Sequence, residues 1–115
     1  MVDIVFDGSV SLATVIATKV DGTEASNAVT ASGGAGVITT SALTTAAGGT
    51  YAITWTNTLI TATSTAAVTL QGGTNTIKNI SFEFIPGSGS ATLTIHNNHA
   101  SSSLDGTVLI GYTIF

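Results

Sequence analysis

The chain has 115 residues, enough for one domain around a single core, and carries two lysines, no arginine and six acidic residues for a net charge of −4. It has no cysteine, which excludes disulfide frameworks, thiolate catalysis and zinc–thiolate sites. Two cations, Lys19 and Lys78, cannot build the basic face that phosphate-driven nucleic-acid binding requires.

Strand signals run from end to end. Val2, Ile4 and Phe6 alternate with Asp3 and Val5 before an Asp7-Gly8 turn. Residues 10–20 place Val10, Leu12, Ile16 and Val20 on one parity. A helix can also be drawn there through Leu12, Val15, Ile16 and Lys19, so both readings stay open until Asp21-Gly22 closes the segment. Residues 27–40 predict two short strands around a Ser-Gly-Gly-Ala-Gly loop at 32–36. Residues 51–58 give the cleanest half-buried strand, with Tyr51, Ile53 and Trp55 on one side and Thr54, Thr56 and Thr58 on the other.

Residues 66–71 turn Ala66, Val68 and Leu70 inward, and Gly72-Gly73 breaks the run. Ile80, Phe82 and Phe84 then oppose Ser81 and Glu83. A Pro-Gly-Ser-Gly loop at 86–89 joins that strand to a second one, in which Ala91, Leu93 and Ile95 oppose Thr92, Thr94 and His96. A last strand lies within residues 107–115. About eight strands, Gly-rich turns and no intervening helix predict one all-β domain over residues 1–115, a β-sandwich of jelly-roll-like type.

Chemistry is sparse. Both histidines, His96 and His99, fall near Asp105 and a run of serines. His96 continues the outward parity of Thr92 and Thr94, while His99 falls in a loop, and such spacing brings side chains together on a helix rather than at a strand end. Zinc needs three or four ligands, so Asp105 would have to join by loop folding. Ser, His and Asp co-occur here without a nucleophile elbow; Gly-Ser-Gly-Ser at 87–90 belongs to a hairpin. Asp7, Asp21 and Asp105 each precede glycine, which is turn chemistry. Asp21 and Glu24 alone fall short of the six or more oxygens calcium takes. Asn79-Ile80-Ser81 matches a glycosylation acceptor, and the 32–36 loop lacks the lysine and helix of a phosphate cradle. No paired carboxylates are set for glycoside hydrolysis. The expectation is a non-enzyme without metal or cofactor.

Only 7% of residues are charged, against about 25% in an ordinary domain, and Thr, Ser, Asn and Gly fill the polar positions. Like-charge repulsion, which normally keeps proteins apart, is weak on such a surface. Much of it is therefore expected to meet other protein. No apolar run of about 18 residues is present to cross a membrane as a helix. The acidic, alternating start lacks the basic and apolar blocks of a signal peptide.

The last strand sharpens this. Val108, Ile110, Tyr112 and Ile114 form one apolar face, yet Leu109 and Phe115 occupy the other beside Gly111 and Thr113. A strand apolar on both faces is buried on both. Ile110 and Tyr112 are expected in the core, and Leu109, Gly111 and Phe115 at a subunit interface.

Residues 56–70 and 87–115 resemble small all-β modules of bacteriophage virions: capsid decoration proteins, head fibres and tail-fibre tips. The likeness rests on Thr56-Asn57-x-Leu59-x-Thr61 and the Gly87–Ile95 hairpin, then on Asn97-Asn98 and Leu104-x-Gly106 before the closing strand. The N-terminal half shows no such match. The resemblance implies a homotrimer in the virion, made in the host cytoplasm and partnered by the major capsid protein lattice. An isolated chain of this length favours decoration. The alternative is a fibre tip that binds host glycan.

Overall fold

A computed structural model describes residues 19–115, and among these it holds eight strands and no helix. They are β1 (Gly22–Thr23), β2 (Ala28–Thr30), β3 (Ala35–Thr39), β4 (Thr50–Thr56), β5 (Ala66–Gly72), β6 (Ile80–Pro86), β7 (Ser90–Asn97) and β8 (Leu109–Ile114). The strand expected at residues 2–6, and the ambiguous segment up to residue 18, lie outside the described residues. Two four-stranded sheets face each other, ordered β1-β3-β8-β5 and β2-β4-β7-β6. The fold is an all-β sandwich. Every connection except the β6–β7 hairpin crosses from one sheet to the other.

Period-two alternation decides which side chains fill the space between the sheets. Ile53 and Trp55 of β4, with Ala91, Leu93 and Ile95 of β7, point in from one sheet. Ile38 of β3, with Ile110 and Tyr112 of β8, point in from the other, and all of these are buried. Trp55 meets Tyr112 edge-on across the gap, ring centroids 4.5 Å apart, and Phe84 at 6.0 Å. Ile110 and Tyr112 are core residues, as the parity of the last strand requires.

The stretch from Lys19 to Thr30 is laid along one flank as a strap. Its β1 pairs parallel with β3, and its β2 pairs parallel with β4, so it covers one edge of each sheet. Here the expected Asp21-Gly22 turn is corrected: Gly22 opens β1 instead. It is glycine because a Cβ there would fall 2.8 Å from Val29 Cγ2 and 3.0 Å from Ala31 Cβ. Asp21 does not bond its own turn but accepts from the Val37 amide at 2.9 Å. The Asp105-Gly106 turn is corrected in the same way. Gly106 lacks a positive φ and forms a bridge with Leu43, while Asp105 reaches across to Thr76. The loop expected at 32–36 is shorter, since β3 begins at Ala35.

Among the described residues the opposite flank is less closed. Val68 and Leu70 of β5, Phe82 and Phe84 of β6, and Ile77 are half-buried against the core. A bulge at Leu70/Gly72 ends the β5–β8 ladder. Gly73 follows with φ +115°, where a Cβ would also overlap the Thr107 carbonyl.

Truncating Ile110, fully buried on the central strand, should cost about 2–5 kcal/mol through lost contacts and the cavity left behind. Leu109→Ala, one position away on the outer face, should cost less than about 1.5 kcal/mol in the isolated subunit. Urea denaturation followed by Trp55 fluorescence compares the two; equal costs would contradict the assigned faces.

Candidate interaction surface

The histidine loop is built for structure. Asn97, the last residue of β7, continues the inward parity of Leu93 and Ile95 and is buried. Its amide nitrogen donates to the carbonyls of Thr45 (3.0 Å) and Ser102 (2.9 Å), tying two loops together. Its Oδ1 accepts from the His99 amide at 3.0 Å. His99 Nδ1 accepts in turn from the backbone N–H groups of Ser101 (3.1 Å) and Ser102 (2.9 Å). That lone pair is engaged in closing the loop. His96 stands on the outer face of its sheet, Nε2 3.5 Å from Glu83 Oε1. Asp105 is committed elsewhere, accepting from both the amide and the hydroxyl of Thr76. These two bonds, the hydroxyl's first, hold its carboxyl below the usual aspartate range. His96, His99 and Asp105 are thus parted among separate partners. Among the described residues, no three His, Cys, Asp or Glu side chains come together to hold a metal.

Glu24 is the unexpected carboxylate. It is 1% exposed at the bend between β1 and β2. Oε1 accepts from the Ser41 amide (2.9 Å) and hydroxyl (3.0 Å). Oε2 accepts from the Asn27 amide (2.9 Å) and the Tyr51 hydroxyl (2.7 Å). Burial alone would raise its pKa; the bonds from Tyr51, Ser41 and Asn27 outweigh burial and hold it below the ordinary glutamate range. Burial first, and then the bond to Glu24, push the Tyr51 phenol up. This cluster clasps the bend between β1 and β2 to Ser41 and to β4. Sequence reasoning treated Glu24 only as a failed calcium ligand, because its donors are 17 and 27 residues away.

The predicted interface residues do not form one stripe. Leu109 is half-buried at one end of β8, and Phe115 follows the other end, about 20 Å away at the rise of an extended chain. Between them Gly111 is covered by its own sheet: a Cβ there would lie 2.4 Å from Gln71 Nε2. Lys19, Val37, Thr69, Gln71 and Gly111 line a shallow depression of ≈ 340 Å³ on this outer face, Lys19 being the only charged residue in its lining among the described residues.

Phe115 carries the clearer signal. It is 73% exposed, although its backbone is fixed by bonds in both directions with Thr65, at 2.8 and 3.2 Å. Among the described residues, the other large apolar side chains left in water are Leu59 (55%) and Ile85 (53%). Leu59 sits in the same loop as Thr65, held by buried Asn57, whose Oδ1 accepts from the Leu59 amide at 2.9 Å. Ile85 precedes the β6–β7 turn, where Gly89 exchanges bonds with the same loop through Asn57 and Ile60. The three apolar side chains therefore belong to one end of the sandwich. The histidines and Glu24 belong to the other.

No family model, curated protein or solved structure matches this chain.

Because His99 supplies an acceptor to two amides, His99→Ala should cost about 1–2 kcal/mol, and exposed His96→Ala under about 0.5 kcal/mol. EDTA should leave the Tm unchanged. A fall of more than about 10 °C with chelator would reveal a stabilising metal.

Proposed function

We propose that this chain is a structural binding module that acts through surface contact: a β-sandwich that trimerises and docks on an assembled phage capsid, stabilising it. The observation that carries this reading is the apolar end of the molecule. Leu59, Ile85 and Phe115 are exposed there on backbone that hydrogen bonds hold in place. Fixed, exposed apolar groups at one end fit a contact site better than scattered surface residues would. A low surface charge supports the same reading, since docking then removes few ions from water. The half-buried flank formed by β5 and β6 offers a second contact, suited to the neighbouring copy.

The mechanism is mass action. A subunit that binds only the assembled lattice stabilises it by RT ln(1 + [L]/Kd), about 2.7 kcal/mol per site at a hundredfold excess over Kd. No catalytic residue is required, and the partners are further copies and the major capsid protein.

A fibre tip binding host glycan is the second reading. Thr54, Ser90 and Thr92 place hydroxyls around a shallow depression of ≈ 200 Å³ beside Ile85, a neutral surface of the kind a sugar could meet.

Native mass spectrometry at micromolar concentration should give a trimer, and co-sedimentation should carry it down with empty capsids but not with host-envelope glycan. Phe115→Ala should weaken assembly or docking at least tenfold while shifting the Tm of the isolated subunit by under about 3 °C. A wild-type monomer that ignores capsids removes this reading, and retention on glycan favours the alternative.

A further inference from the structure

The strap from Lys19 to Thr30 is held differently from the rest of the sandwich. Where β4, β6 and β7 pair over seven-residue registers, β1 contributes two paired residues and β2 three, both in parallel ladders. Three backbone bonds extend these ladders, from the Val20 amide to Ala35 (2.9 Å), from the Glu24 amide to Thr39 (2.8 Å) and from the Thr54 amide to Asn27 (2.8 Å), and side chains add to the hold. Asp21 accepts from the Val37 amide and from Lys19 Nζ, and Asn27 Nδ2 donates to the Ala52 carbonyl. The Tyr112 hydroxyl donates to the Val20 carbonyl at 2.6 Å. At the bend sits Glu24, gathering four donors from its own turn, from Ser41 and from Tyr51 on β4.

We propose that this strap is a releasable flank, latched by the Glu24 carboxylate, and that acid opens it before the body of the sandwich unfolds. The argument is the chemistry of the cluster. Every group on Glu24 is a donor, and two of them are backbone amides that cannot reverse. A protonated carboxyl brings a proton into a site that already supplies four. The groups facing Glu24 are Asn27, Ser41 and Tyr51; of these only the Tyr51 phenol titrates, and it stays protonated throughout the acid range. No lysine is bonded to Glu24 among the described residues. The other acid on the strap, Asp21, acts in the same direction, since protonation weakens its bonds to Lys19 and Val37.

The direction in pH follows from the depressed folded-state pKa of Glu24. The latch is whole above the unfolded glutamate value, about 4.3, and is lost as pH falls through the lower folded value. Opening would swing on the Ser32-Gly33-Gly34 stretch, because Trp55 Nε1 still holds the Ala31 carbonyl and Asn57 Nδ2 the Gly33 carbonyl. It would uncover the edges of β3 and β4, and with the latter Trp55, the register partner of buried Val29.

Hydrogen exchange on the intact protein from pH 7 to pH 3, corrected for intrinsic rates, tests this with acrylamide quenching of Trp55, the single tryptophan. Residues 19–30 should lose protection about 10- to 100-fold in a pH step where residues 90–97 keep theirs, with a parallel rise in Trp55 quenching. Glu24→Gln should show the loss at pH 7. Should that variant fail to fold, Tyr51→Phe, which removes one donor, should show a smaller loss in the same peptide. Strap and β7 losing protection in a single step would overturn the proposal, as would wild-type strap protection in Glu24→Gln at pH 7, or in Tyr51→Phe if that is the variant read.

Discussion

The edge-to-face contact of Trp55 with Tyr112 is the interaction on which the rest of this sandwich depends. Each ring is buried between the sheets, one from each sheet, so the contact fixes their separation and offset. Each ring also carries a polar atom that needs a partner once buried. Trp55 Nε1 donates to the Ala31 carbonyl and the Tyr112 hydroxyl to the Val20 carbonyl, both on the N-terminal side of β3. The aromatic pair thereby joins three things, two sheets and the flank, with no ion pair. Short parallel ladders are weak closures, and here the core itself reaches out to hold them.

A chain with so little charge must satisfy its buried loops by other means. Asn57, Asn75 and Asn97 do this, each buried and each placed where a strand gives way to a loop. Asn57 binds the 32–34 loop and the turn after β4; Asn97 binds two loops at the other end. Asn75 donates to the Ile77 carbonyl and accepts from the Asp105 amide, so residues 73–79 are fastened to the approach to β8. An amide presents donor and acceptor together and costs less to bury than a carboxylate. Glu24 is the exception, tolerable because both its oxygens are fully occupied.

Alternation made most of this legible. The inward sets at 51–55, 80–84, 91–95 and 108–112 lie where parity puts them, because burial on one face is what a period of two records. The same parity, carried one step further, places Asn57 and Asn97 inside, a reading available from Ile53-x-Trp55-x-Asn57 and Leu93-x-Ile95-x-Asn97. Pairing partners were not legible. Asp21-Gly22 and Asp105-Gly106 looked like turns because local composition is the only evidence a sequence offers for them. In the fold their carboxylates serve distant amides, at Val37 and Thr76. Glu24 was opaque for the same reason. Of the three residues expected at an interface, Phe115 is exposed, Leu109 half-exposed, and Gly111 is spoken for by Gln71, a neighbour that strand register alone reveals.

The two flanks of the sandwich solve the problem of sheet edges differently, and the difference bears on association. On one side the strap caps both edges. On the other, among the described residues, β5 and β6 end their sheets. Exposed edges are usually guarded by charge, proline or irregularity. β6 has Glu83 on its outer face and Pro86 at its end, and β5 has its bulge at Leu70/Gly72 but no charged residue. The weaker guard lies where the core is least closed, beside half-buried Val68 and Leu70. In an ordinary domain net repulsion would keep two such flanks apart; at 7% charged residues that barrier is low. Low charge thus makes contact with other protein inexpensive, and under the proposed assembly the β5–β6 flank and the apolar end are where that contact is made.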